Sequence, residues 1–172
     1  MISPNEVKTE ALRLEEENNE FRAFLKNHPD NDKLDARFLA LHKEMFADYD
    51  CCTCSNCCKK FTISLDNNEL RRIAYNLGMN EYDFGMTYLT DADPFAGRPY
   101  HFKEVPCVFL DANGRCEIQD CKPDVCVGFP YTDHPERLYD MHATIERAEA
   151  CPIIFEILER LKVMYEFASN KP

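Results

Sequence analysis

Five of the ten cysteines fall within eight residues, Cys51-Cys52-Thr53-Cys54-Ser55-Asn56-Cys57-Cys58, and the rest follow at Cys107, Cys116, Cys121, Cys126 and Cys151. A segment this crowded with thiols has few structural solutions. Disulfide partners need Cα atoms about 4.4–6.8 Å apart with converging Cβ vectors, which neighbours in a tight loop rarely supply. Thiolates around a metal ion or an iron–sulfur cluster tolerate the crowding, because the cation offsets repulsion between sulfurs. The chain is therefore read first as metal-binding.

Spacing refines this reading. With stride three the segment is Cys51-x-x-Cys54-x-x-Cys57-Cys58, and a Cys-x-x-Cys loop lets two sulfurs converge on one ion while backbone N–H groups point at them. Adjacent side chains such as Cys57 and Cys58 are expected to diverge and so to serve two different sites. Cys51, Cys54 and Cys57 with the remote Cys151-Pro152 have the Cys-x-x-Cys-x-x-Cys plus Cys-Pro arrangement of a ferredoxin-type [4Fe–4S] cluster. Cys58, Cys107, Cys116 and Cys126 would then hold a zinc ion or a second cluster. Two closed Cys₄ zinc sites are the alternative division.

The rest of the composition narrows the function classes. The net charge of −11, from 20 basic and 31 acidic residues, repels a phosphate backbone, so nucleic acid is not an expected partner. Neither a Gly-x-Gly-x-x-Gly nor a Walker-type loop occurs, so nucleotide chemistry has no support. The first twenty residues carry no apolar signal-peptide run and no stretch is long enough to span a membrane. A cytosolic, membrane-free setting is expected, where thiols stay reduced and serve metals or catalysis. A secreted, disulfide-stapled protein is the competing reading.

The expected fold is mainly α with a small β-hairpin: an irregular cysteine-rich metal-binding domain flanked by helices. Residues 1–49 read as an N-terminal helical hairpin and 50–172 as the cysteine domain with a C-terminal helix. In the first helix Val7, Leu14, Phe21 and Leu25 form the apolar stripe, which Pro29 ends. In the second, Leu34, Phe38, Leu41 and Met45 repeat, widened by Leu39, Phe46 and Tyr49. These two helices are free to pack on the cysteine domain, on a protein partner or on a second copy of the chain.

Asp66-Asn67-Asn68-Glu69 has the pattern of a capping box, opening a helix with Leu70, Ile73, Ala74 and Leu77 inward that stops at Gly78. A short helix over 81–89 is expected to bury Tyr82, Met86 and Leu89, and 90–100 reads as loop. Asn113-Gly114 predicts a hairpin over 105–119 that puts Cys107 and Cys116 on one face. Pro152 opens a last helix with Ile153, Ile154, Ile157, Leu158, Leu161 and Met164 apolar.

The spaced set Cys51-x-x-Cys54-x-x-Cys57-Cys58, Pro106-Cys107-Val108-Phe109-Leu110, Gly114-Arg115-Cys116-x-Ile118, Lys122-Pro123-x-x-Cys126-x-x-Phe129-Pro130 and Cys151-Pro152 resembles the YkgJ-type cysteine-cluster family. That family is described as zinc- or iron-chelating, and the resemblance covers about residues 51–152. It implies eight metal ligands: Cys51, Cys54, Cys57, Cys58, Cys107, Cys116, Cys126 and Cys151. Cys52 and Cys121 have no counterpart in the pattern and read as bystanders. Ser55 stands where the family usually has Gly, and Val127 where an Arg is common.

Outside the cysteines, His101, His134 and His142 are candidate ligands with an ordinary loop role as the alternative, and His28 and His42 read as packing or surface residues. Asp91, Asp93 and Asp111 are explained by turn chemistry. Three functions follow: a metal-chelating accessory module, an enzyme component related to protein lysine N-methylation, as in larger relatives sharing the motif, or a thiol redox or metal sensor using exposed Cys52 or Cys121. No substrate machinery is recognisable, so the module reading leads.

Overall fold

The structure is a computed structural model describing residues 1–91 and 97–169. It is mainly α-helical with a small antiparallel sheet, and it divides into two compact units, Met1–Asp50 with Pro130–Pro172, and Cys51–Phe129.

The first unit is built from α1 (Val7–Arg13), α2 (Glu15–Asn27), α3 (Leu34–Phe46), α8 (Arg137–Ala148) and α9 (Pro152–Met164). The expected first helix is divided at Leu14, yet its stripe of Val7, Leu14, Phe21 and Leu25 is buried as the heptad spacing requires. Leu34, Phe38, Leu41 and Met45 are also buried, whereas Leu39 is exposed on the far side of α3. The two N-terminal helices do not stand as a hairpin by themselves: α2 packs on α8, α3 on α9, and α8 on α9. The C-terminal helix thus shares a core with the N-terminal helices, where the sequence suggested a place beside the cysteines. The all-apolar face of α9, with Ile153, Ile154, Ile157, Leu158 and Leu161 buried, is the reason, because it needs several helical partners to leave water.

Helix α8 has no counterpart among the sequence expectations. Its start lacks a local capping signal, since Glu136 is left-handed at φ 63° and offers no side-chain cap. The carboxylate of Asp35, on α3, accepts instead from the backbone N–H of Glu136 at 2.7 Å and of Arg137 at 2.9 Å. A cap supplied from a hundred residues away leaves no trace in the local sequence.

The second unit contains α4 (Asn56–Lys60), α5 (Asn67–Asn76), α6 (Glu81–Tyr88), α7 (Asp124–Val127) and the strands β1 (Ser64–Leu65), β2 (Leu89–Asp91) and β3 (Tyr100–Phe102), ordered β1-β3-β2. The sheet therefore uses both ends of the segment read as loop, of which residues 92–96 lie outside the described residues. The capping box is complete: Glu69 N donates to Asp66 Oδ1 and Asp66 N to Glu69 Oε2, each at 2.8 Å. Gly78 ends that segment at φ 67°.

Packing chose different side chains from those the helical pattern suggested in α6. Phe84 is fully buried, while Tyr82 and Met86 are exposed, and so is Leu77 after α5. Phe84, Tyr88 and Phe102 surround Phe109 at ring separations of 6.5, 5.0 and 5.3 Å. That aromatic cluster anchors the segment between Cys107 and Cys116. The expected hairpin there is reduced to one antiparallel bridge, Leu110 with Cys116, around a turn whose Asp111 Oδ1 accepts from Asn113 N and Arg115 N at 2.8 Å. Both flanking cysteines pack on the same core cluster, so the shared face survives without extended strands.

Candidate metal centre

Residues 51–55 form a tight turn in which Cys51 O accepts from Cys54 N at 3.1 Å and from Ser55 N at 2.9 Å. Ser55 is left-handed, at φ 55° and ψ 15°, and then starts α4, its carbonyl accepting from Lys59 N at 3.1 Å. Lys59 Nζ returns to Cys54 O at 3.0 Å. The left-handed backbone explains why Gly would suit this position. Serine is held there by its buried hydroxyl, which lies 2.8 Å from Gly114 O and 3.2 Å from Cys52 O.

Gly114 completes the joint. Its φ is +81°, and a Cβ there would lie 2.4 Å from Cys52 O and 2.8 Å from Ser55 Oγ. The turn before Cys116 and the cysteine loop thus meet backbone to backbone, in a space that excludes any side chain. A second tie is Cys107 N, which donates to Cys58 O at 2.8 Å.

Around these joints the thiols gather. Cys57 Sγ and Cys58 Sγ are 3.9 Å apart. The expected divergence of this pair is not found, since the two sulfurs lie within hydrogen-bonding distance of each other. Four sulfurs tetrahedrally placed about 2.3 Å from a zinc ion lie about 3.8 Å from one another, so this separation suits two ligands of one site. Cys58, Cys107 and Cys116 are each close enough to Cys126 for their charges to raise its pKa, and Cys107 and Cys116 feel Cys58 in the same way.

The electrostatics are uneven. The hydrogen bond from Cys57 lowers Cys58 to about 6, helped by the Lys122 and Lys59 charges against the opposing effect of burial. Burial raises Cys126 to about 12, the three neighbouring thiols adding to it and Lys122 opposing. Burial likewise raises Cys107 and Cys116. Without a cation, the pocket tolerates one thiolate readily and resists more.

The other candidates are placed as follows. Cys51 is exposed and Cys54 buried within the same turn, and Cys151 is buried at the head of α9 in the helical unit. Cys52 is half-buried. Cys121 is 5 % exposed in the core beside Ile118, which removes it as an exposed sensor thiol. Among the described residues no group of three or more His, Cys, Asp or Glu side chains is placed to hold a metal ion.

The histidines have other settings. His101 is in β3 and paired with Thr90 and Ser64. His134 lies 3.9 Å from Asp133 and lines an open cleft of about 620 Å³ with Tyr131, Arg137 and Arg147. His142 faces Glu146 at 3.8 Å. His42 meets Thr132 at 2.8 Å, and His28 packs on Phe24 and Tyr165. Asp111 is a turn residue, β2 ends at Asp91, and Asp93 lies outside the described residues.

A chain whose sulfurs are held this way by short backbone joints belongs with cysteine-cluster metal-chelating proteins. Residues 50–152 match the CxxCxxCC family, described as "Putative zinc- or iron-chelating domain", and the chain belongs to that family. Searches of curated proteins and of solved structures returned no match. No helix among the described residues is long and apolar enough to cross a membrane.

Proposed function

We propose that the protein is a metal-chelating accessory module that binds zinc or iron through thiolates drawn from Cys51, Cys54, Cys57, Cys58, Cys107, Cys116, Cys126 and Cys151. The nucleus of the site is Cys57 and Cys58 with Cys107, Cys116 and Cys126. The observation that carries this reading is the 3.9 Å approach of the Cys57 and Cys58 sulfurs, beside three further thiols whose charges act on one another. The donor set suits the group: soft thiolates favour zinc or an iron–sulfur cluster over hard cations. Lys122, whose charge lowers Cys58, Cys116 and Cys126, offsets part of the negative charge that several thiolates bring together. A bound cation would supply the attraction that lets the high-pKa thiols ionise, and the local chain would be ordered by it.

The test is elemental analysis with a visible spectrum on protein purified without oxygen, followed by chelation under reducing conditions. Stoichiometric zinc without colour, or iron and sulfide with a broad brown absorbance, supports the reading and names the metal. Chelation should then lower the far-UV circular dichroism signal. Metal-free protein that takes up neither zinc nor iron, with unchanged circular dichroism, refutes it.

A further inference from the structure

The carboxylate of Glu69 does more than its capping box requires. A capping box uses one oxygen, and here Oε2 accepts from Asp66 N at 2.8 Å and also meets Arg98. The second oxygen, Oε1, accepts from the backbone N–H of Asp124 at 2.7 Å, fifty-five residues away. Asp124 is the first residue of α7, the short helix that carries Cys126. Glu69 is only 2 % exposed, so each oxygen needs donors to offset its desolvation. The Asp66 N–H is local to the start of α5, and Arg98, just before β3, ties Glu69 to Ser64 of β1. The Asp124 bond alone reaches the cysteine arm.

Arg72, three residues further along α5 and so on the same face, grips the same turn. Its Nη2 donates to Lys122 O at 2.7 Å and to Asp124 Oδ1 at 3.0 Å. The turn is stiffened by Pro123, whose carbonyl accepts from Cys126 N at 2.8 Å. One helix face thus holds Lys122 and Asp124, on either side of Pro123 in the turn that leads to Cys126, and the ammonium of Lys122 is part of that same turn.

We propose that Glu69 and Arg72 are positioning residues that clamp the Lys122–Asp124 turn and so hold the Cys126 thiol toward Cys58, Cys107 and Cys116. This rests on the proposed metal-binding reading and adds the device that orients one ligand arm. The α5 segment then serves as an outer shell of the site as well as a piece of core.

Two substitutions at Asp124 separate the clamp from general stability. Asp124→Ala removes only the exposed ion pair with Arg72. Asp124→Pro also removes the N–H that Glu69 accepts, at a first helical position that favours proline. Pro123 already has φ −55° and ψ 145°, the conformation a following proline demands. Arg72→Met removes the bond to Lys122 O together with the ion pair. Each protein is titrated with cobalt(II) in the absence of oxygen, reading affinity and the thiolate-to-cobalt and ligand-field bands, with far-UV circular dichroism as the folding check.

Asp124→Ala should lose less than about fivefold in affinity, as befits an exposed pair. Asp124→Pro should lose about 10–100-fold, the usual cost of removing an outer-shell partner, with altered ligand-field bands, and Arg72→Met should lie between the two. If Asp124→Pro and Arg72→Met bind cobalt with the affinity and bands of Asp124→Ala, the clamp is overturned. Wild-type protein that shows no thiolate–cobalt bands sinks the metal-binding reading itself, and the clamp with it.

Discussion

Replacing Gly114 by alanine probes the joint on which the candidate site depends, and Gly78 provides an internal control. Both glycines have positive φ, +81° at Gly114 and +67° at Gly78. In each, an alanine costs about 1–2 kcal/mol for the left-handed conformation. Both also gain equally from reduced freedom of the unfolded chain, so that contribution cancels between them. The surroundings differ. A Cβ at Gly78 meets nothing within 4 Å, whereas at Gly114 it would lie 2.4 Å from the carbonyl oxygen of Cys52 and 2.8 Å from Ser55 Oγ. Overpacking of this kind costs about 1–3 kcal/mol. Opening the joint also sacrifices the Ser55-to-Gly114 hydrogen bond, worth about 1 kcal/mol. Gly114→Ala should therefore destabilise the metal-free, reduced protein by about 2–4 kcal/mol more than Gly78→Ala does. Urea unfolding followed by circular dichroism measures the difference. Gly114→Ala should also weaken zinc binding, because the cysteine loop must move away from the turn before Cys116, and Gly78→Ala should not. Equal destabilisation by the two variants, with equal metal affinity, would refute the reasoning.

Four further outcomes follow from the geometry and the thiol electrostatics. Ser55→Ala should destabilise by about 1–2 kcal/mol in the same urea assay, since it keeps the left-handed strain and loses the hydroxyl, while Ser55→Gly relieves the strain and should cost less. In metal-free protein at pH 7, iodoacetamide with mass-spectrometric mapping should modify the Cys57–Cys58 pair well before Cys126, whose thiol is held to about 12 while Cys58 sits near 6. The corresponding stability has opposite signs. The Cys58 contribution is present above the ordinary thiol pKa and fades as pH falls toward 6, whereas that of Cys126 is present below the ordinary pKa and is lost as pH rises toward 12. Unfolding midpoints that do not change over either range would contradict this. In the helical unit, Lys162 is 5 % exposed and donates to Glu17 and Glu159 at 2.6 Å, and because both carboxylates keep part of their contact with solvent, Lys162→Met should cost only about 1–2 kcal/mol, read from a lowered thermal midpoint.

Chemistry and local punctuation were legible in the residues themselves. The spacing of Cys51, Cys54, Cys57 and Cys58 fixes how many sulfurs one short loop can offer, and no packing alters that count. The capping box at Asp66 and Glu69, the stop at Gly78 and the proline start at Pro152 are settled within one helical turn, so four adjacent residues suffice to declare them. The buried stripes of α2 and α3 are similar, because a helix places i, i+4 and i+7 on one face whatever it meets.

What needed the tertiary structure involves distant partners. Phe84 rather than Tyr82 or Met86 faces inward because Phe109 lies opposite it, and a helical period says nothing about what stands across the way. Helix α8 depends on a cap lent by Asp35, so its own first residues carry no start signal. The Cys57–Cys58 approach turns on side-chain torsions that adjacency does not set. Ser55, a departure from the usual glycine when read along the chain, is accounted for only by the carbonyls of Cys52 and Gly114 above its hydroxyl. The spacing of the cysteines along the chain is enough to place it in a family described as zinc- or iron-chelating. Which sulfurs stand together, and which charges lie beside them, was decided by long-range packing, since sulfur–sulfur distances depend on contacts between segments tens of residues apart.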